Sequence, residues 1–154
     1  MFSGNMRNKL QKDVSSILNE FYNDDKIFYH FQFPTYIFSK NVICDNFIIL
    51  KNSNIIFLEL KMCSNTQKKL MTSNIKREIQ EKTNEFLLNK NNKHLYIIGF
   101  YNKENRKDMH FLLIDNIKSV EHRKKSFYSF QELLNKSIYK SSNLNEILNF
   151  ILTL

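Results

Sequence analysis

Apolar residues recur along this chain with two periods, and the switches between them outline its elements. Val14, Ile17, Leu18, Phe21 and Tyr22 fall at helical spacing, which predicts an amphipathic helix over residues 9–23, ended by Asn23-Asp24-Asp25. Residues 26–33 read as a strand closed by Pro34, which cannot donate to a ladder. A connection through Tyr36 and Phe38 leads to two dense runs of β-branched and aromatic residues, 42–50 and 54–61. Lys51-Asn52-Ser53 between them is turn chemistry, so the pair reads as a hairpin. A second helix is expected from a capping Thr72 or Ser73 to about Leu88, with Ile75, Ile79, Phe86 and Leu87 as its apolar stripe. After an Asn-rich loop at 89–92, the nearly continuous apolar run 94–100 reads as a central strand covered on both faces. A charged turn at 101–108 and a further strand at 109–114 follow. Residues 131–139 and 143–154 look helical, the latter with Leu144, Ile147, Leu148 and Ile151 as its stripe. The order α-β-β-β-α-β-β-α-α predicts an α/β (α+β) fold. Its mixed central sheet would be flanked by helices, with the long helix as crossover of a parallel strand pair and extra helices at the C-terminus.

Composition narrows this picture without changing it. With 154 residues, 42% hydrophobic and 14% aromatic, the chain suits one folded domain spanning 1–154. Fourteen Phe and seven Tyr beside two Gly and one Pro, with abundant Asn and Lys, suggest an AT-rich bacterial, phage or viral genome. Two cysteines, Cys44 and Cys63, make no disulfide framework and fit a reducing, intracellular and cytoplasmic setting. Residues 1–13 are polar and mixed in charge, unlike a secretory signal, and no apolar stretch reaches the roughly 20 residues of a membrane span. The net charge of +8 and pI of about 9.4 favour an anionic partner, nucleic acid foremost.

The hairpin carries charges where apolar side chains belong. If its turn is centred on Asn52, cross-strand partners sum to 104, and Asp45 faces Glu59 with Cβ atoms about 5 Å apart. Lys61 then lies on the same face as Glu59, one step along the strand. Two such carboxylates repel each other unless a cation sits between them. Asp45, Glu59 and the main-chain carbonyl of Leu60 are candidate ligands for Mg²⁺, with Mn²⁺ as a substitute. Lys61 is a candidate to orient or deprotonate a water, so the constellation points to metal-dependent phosphodiester hydrolysis. The D-x₁₃-E-x-K spacing recurs by chance in exposed hairpins. Here, however, the carboxylates sit inside apolar runs, where unpaired charge is costly. Lys68, Lys69, Lys76, Arg77 and Lys82 follow the motif, and Arg123, Lys124 and Lys125 form a later patch; all suit a DNA backbone or an ordinary wet surface. His30, His94, His110 and His122 are scattered without ligand spacing and read as structural. No Gly-rich phosphate loop, Cys/His zinc pattern or Ser-His nucleophile arrangement is present.

Asp45 with Glu59-Leu60-Lys61 on a hairpin, behind a helix and a strand and ahead of a helix and two strands, resembles the PD-(D/E)XK nuclease superfamily and its αβββαβ core. Within it the chain is most similar to RecU-type Holliday junction resolvases, over residues 13–134. Four features carry that likeness. Glu20 stands on the first helix where these resolvases place a further acidic residue. Gln80 lies on the helix after the motif, where glutamine is common. Phe111-Leu112-Leu113-Ile114-Asp115 matches a late strand. Arg123-Lys124-Lys125-Ser126 before 127–132 is similar to a lysine-serine segment. The resemblance implies catalytic roles for Glu20, Asp45, Glu59, Lys61 and Gln80, a Mg²⁺ cofactor, homodimers, and branched or four-way DNA as substrate. Other enzymes on the same core act in restriction, in repair or on RNA, and a non-catalytic nucleic-acid-binding module is a further alternative. The chain departs from the pattern in two places: Cys44 precedes Asp45 where the superfamily's name has proline, and 33–42 holds no long basic insertion.

Overall fold

The computed structural model of the chain describes residues 2–32, 45–66, 69–71, 93–115 and 127–154. Its first element, α1 (Phe2–Asn23), starts seven residues earlier than the periodicity from Val14 predicts. Met6 and Leu10 extend the buried stripe of Val14, Leu18 and Phe21 backwards at i, i+4 spacing. The helix ends in a Schellman motif. Lys26 N–H donates to the Phe21 carbonyl at 2.8 Å and Asp25 N–H to that of Tyr22 at 3.1 Å, with Asp25 in the left-handed region at φ 60°. Lys26 Nζ then lies 5.2 Å above the Phe21 ring. An ion pair from Lys51 to Asp25 ties this helix end to the hairpin turn. The N-terminal half of α1 is thereby laid toward the opposite end of the hairpin.

Strand β1 (Ile27–Gln32) pairs antiparallel with β2 (Asn46–Leu50), and β2 with β3 (Ile55–Ser64). The β2–β3 register runs Asn46 with Leu58 to Ile49 with Ile55, each pair summing to 104 as the turn chemistry predicts. Ser53 adopts φ 71° and donates to the Leu50 carbonyl at 3.0 Å. Leu50 N–H in turn reaches the Asn54 carbonyl at 2.8 Å, closing a three-residue loop. Strand β5 (Lys93–Tyr101) runs parallel to β3, and β6 (Met109–Asp115) continues antiparallel.

The described strands form a mixed six-stranded sheet, completed by β8 (Ser137–Ser141) in the order β1-β2-β3-β5-β6-β8. Strands β4 (Lys69–Met71) and β7 (Phe127–Ser129) make a separate antiparallel pair. Helices α2 (Phe130–Lys136) and α3 (Leu144–Ile151) complete the described elements. The fold is α+β, a mixed sheet flanked by helices.

One expectation needs correction. The helix predicted over 131–139 stops at Lys136, and its second half is the edge strand β8 on β6. Ser137-Ile-Tyr-Lys-Ser alternates half-buried and exposed, and Tyr139 stacks on Phe150 at 4.6 Å, so sheet packing overrides the helical reading. The short strands β4 and β7 carried no usable pattern in three residues each. The helix predicted over 72–88 lies outside the described residues, as do Pro34, Tyr36 and Phe38.

Strand β5 is covered on both faces, as its apolar run predicts. Leu95, Ile97 and Tyr101 join the core under α1 and α3, whereas Tyr96, Ile98 and Phe100 join a smaller core with Leu133 of α2. Ile56, Leu58, Leu60 and Met62 of β3 face α1, so Phe57, Glu59 and Lys61 face the other side. Among the described residues no helix is long and apolar enough to cross a membrane.

Candidate active site

Glu59 enters a buried position because it interrupts an otherwise apolar strand at the centre of the sheet. Asp45 stands immediately before β2, opposite Glu59 in the continued register, and both residues are 7% exposed. Asp45 takes over part of the ladder: its N–H donates to the Leu58 carbonyl at 3.1 Å, and its Oδ2 accepts the Leu60 N–H at 2.7 Å. Because a residue in an antiparallel pair turns N–H and C=O to the same neighbour, the Leu60 carbonyl is directed to that side as well.

Asp45 Oδ1 faces α1. Arg7 Nη2 approaches it at 3.3 Å and Gln11 Nε2 at 3.4 Å, one helical turn apart on the same face. The Arg7 side chain is half-exposed, so its ion pair is screened and worth no more than about 1 kcal/mol.

The Glu59 carboxyl is held well above the usual range, first by burial and then by the negative charge of Asp45. A hydrogen bond to Asp45, which only protonated Glu59 donates, pushes the same way; Lys61 and Arg7 oppose. Lys61 is lowered, chiefly by burial and further by Arg7, against the pull of Glu59 and Asp45. Two acids and an amine therefore meet on neighbouring strands, and burial shifts Glu59 and Lys61 toward their neutral forms.

On the other flank of Glu59, the parallel register sets His94 beside Phe57 and Tyr96 beside Glu59. His94 is 4% exposed and its Nε2 lies 4.0 Å from Glu59 Oε1, too far for a hydrogen bond; that nitrogen has no hydrogen-bond partner. Burial pulls its pKa down to about 4, so the ring is neutral and stacks on Tyr96 at 5.2 Å.

The structure thus brings together Asp45, Glu59, Leu60 and Lys61. It does not bring Glu20 to them. Glu20 is exposed, nine residues beyond Gln11, which is about 13 Å along the axis and on the opposite side of the helix. Lys69 lies on β4, while Lys68, Lys76, Arg77, Gln80, Lys82, Arg123, Lys124 and Lys125 fall outside the described residues. Arg7, Gln11 and His94 are additions. The first two were signalled by the Met6–Leu10 spacing that carries the helix back through them. His94 was signalled only as the polar residue opening an apolar strand.

Among the described residues no three His, Cys, Asp or Glu side chains converge on one point. The donor set available to a cation is two carboxylates and one carbonyl, which suits Mg²⁺ with its usual complement of waters and substrate oxygens. The conflict between Asp45 and Glu59 is what such an ion relieves. No family model matches the chain, and no curated protein matches it significantly.

Proposed function

We propose that this chain is a Mg²⁺-dependent DNA endonuclease that cuts branched DNA, in the manner of the Holliday junction resolvases it resembles, with Mn²⁺ able to substitute. The observation that carries this reading is the pairing of two buried acids, Asp45 and Glu59, within hydrogen-bonding reach of each other and beside Lys61. Asp45, Glu59 and the Leu60 carbonyl would hold the ion, which when bound supplies charge relief at phosphorus and at the leaving oxygen.

The protein's own groups divide the remaining work. Leu60 N–H and Gln11 fix the two oxygens of Asp45, so its orientation is set before substrate arrives. The raised pKa of Glu59 means that a cation held there would compete with its proton, which would couple cation affinity to pH. Lys61, its pKa lowered by burial, is deprotonated and available as a base in a larger fraction of molecules than a free lysine would be. Arg7 is permanently charged and half-exposed, which suits it to grip a phosphate oxygen entering from solvent. A homodimer would present two such sites to the two symmetric strands of a four-way junction.

The test is incubation of labelled four-way junction, linear duplex and single-stranded RNA with the protein and Mg²⁺, beside EDTA controls. The reading expects junction cleavage that EDTA abolishes and that Asp45→Asn reduces at least about a hundredfold. Equal or preferential cutting of duplex or RNA would move the chain to a restriction-, repair- or RNA-directed nuclease on the same core.

A non-catalytic nucleic-acid-binding module is favoured by one observation: Arg7 already supplies Asp45 with a counter-charge. Under that reading no substrate is cut in Mg²⁺, and Asp45→Asn binds DNA as the parent does.

A further inference from the structure

The sheet face that holds Glu59 continues outward as aromatic rings. On the edge strand β1, Tyr29 and Phe31 are 46% and 43% exposed. Their partners on β2 are Ile49 and Phe47, which alternate away from Ile48 and Leu50, the residues buried under α1. Phe47 pairs with Phe57 on β3, ring centroids 5.5 Å apart and edge to face, and Glu59 is the next residue on that face. With strands about 4.8 Å apart, Phe31, Phe47 and Phe57 form a row that runs from β1, the last of the described strands on that side, toward the acid pair.

We propose that this row is a stacking platform for an unpaired DNA strand, seating bases on Tyr29 and Phe31 while an adjoining phosphodiester reaches Asp45 and Glu59. The proposal rests on the nuclease reading and sharpens it, because it names single-stranded rather than paired DNA beside the cut. Bases inside a duplex hide their faces in the stack, so only splayed nucleotides use a surface of partly exposed rings. The chain's charge suits the occupant, with 23 Lys and Arg against 15 Asp and Glu. A second copy adding to β1 would use the strand's hydrogen-bonding edge, whereas these rings stand on its face.

The full chain in EDTA, where no cutting occurs, is titrated into oligothymidylate carrying a fluorescent adenine analogue and into duplex of equal length. The platform predicts quenching of the single strand, with Tyr29→Ala and Phe31→Ala each weakening that binding roughly tenfold and duplex binding little changed. Tyr29→Leu and Phe31→Leu keep apolar area without the ring and are expected to weaken it similarly. Because more than half of each residue is covered, thermal melts of all four variants are recorded and binding is compared at a temperature well below every midpoint. Unchanged single-strand binding, or an equal loss for duplex, overturns the proposal. So does a shift from dimer to monomer in sedimentation without loss of quenching, which would make this face a contact between copies. Junction cleavage in Mg²⁺ is scored separately. Cutting with indifferent ring variants sinks the platform alone, and ring-dependent binding without cutting sinks the nuclease reading alone.

Discussion

At the scale of residues, the structure rests on polar groups placed where burial makes them expensive. His94 is the plainest case. Its pKa falls from 6.5 to about 4 because the ring is buried, with an Nε2 that makes no hydrogen bond. The unfolded chain therefore binds more protons than the folded one between those values, so stability falls as pH drops from 6.5 toward 4. At about 1.4 kcal/mol per unit, the loss from this group is about 3 kcal/mol. Glu59 acts in the opposite sense, since its raised pKa makes the folded state the better proton binder above 4.5. Urea unfolding of His94→Phe and parent across this range isolates the histidine: the variant is expected to lose about 3 kcal/mol less on acidification. Parallel curves would contradict that assignment. Asp45 and Glu59 were legible in the sequence because charged residues interrupt apolar runs and the turn fixes a sum of 104. Arg7 and Gln11 were signalled only by the Met6–Leu10 spacing that carries α1 back through them, which does not say that they reach Asp45. His94 was not legible, because its place depends on a parallel pairing between strands almost forty residues apart, which local pattern does not encode.

Among the elements, β5 shows how the sheet is held together at its centre. Gly99 sits between Met62 of β3 and Phe111 of β6, its partners in the two flanking ladders. A Cβ there would meet Met62 Cε at 2.7 Å, Met62 Sδ at 2.9 Å and Phe111 Cε1 at 3.3 Å. The glycine leaves room for side chains from both neighbours to meet over its backbone. Gly99→Ala must displace the end of the Met62 chain, a flexible group, and is expected to cost about 1–2 kcal/mol. Because Met62 is the obstacle, the double variant Gly99→Ala with Met62→Ala should be more stable than the two single losses added together, as a double-mutant cycle in denaturant would show. Strict additivity would place the clash elsewhere. Elements with long, strongly periodic patterns, such as α1, the hairpin, β5 and α3, were readable in the sequence. β8 was not, because five residues that alternate in the sheet also fit the tail of a helix. Tyr139 against Phe150 decides between them only once α3 is docked.

For the whole molecule, the excess positive charge bears on how it meets a partner rather than on how it folds. If the partner is DNA, phosphate contacts release counterions. Binding measured from about 50 to about 200 mM salt should then weaken steeply, about a hundredfold or more for several contacts. A salt-independent affinity would argue against a phosphate backbone as the partner. Single-residue salt bridges matter less at this scale, since Lys9–Asp13 and Lys51–Asp25 are exposed at the surface. The mixed sheet gathers an acid from before β2, an acid and an amine from β3, and an arginine and a glutamine from α1 into one place. That convergence is meaningful as chemistry only if it grips a divalent ion. Calorimetric titration of Mn²⁺ into the parent, Asp45→Asn and Glu59→Gln at neutral pH tests it directly. The account predicts saturable binding with proton release by the parent, weakened at least about tenfold in each variant. No binding by the parent, or equal binding by all three, would contradict it.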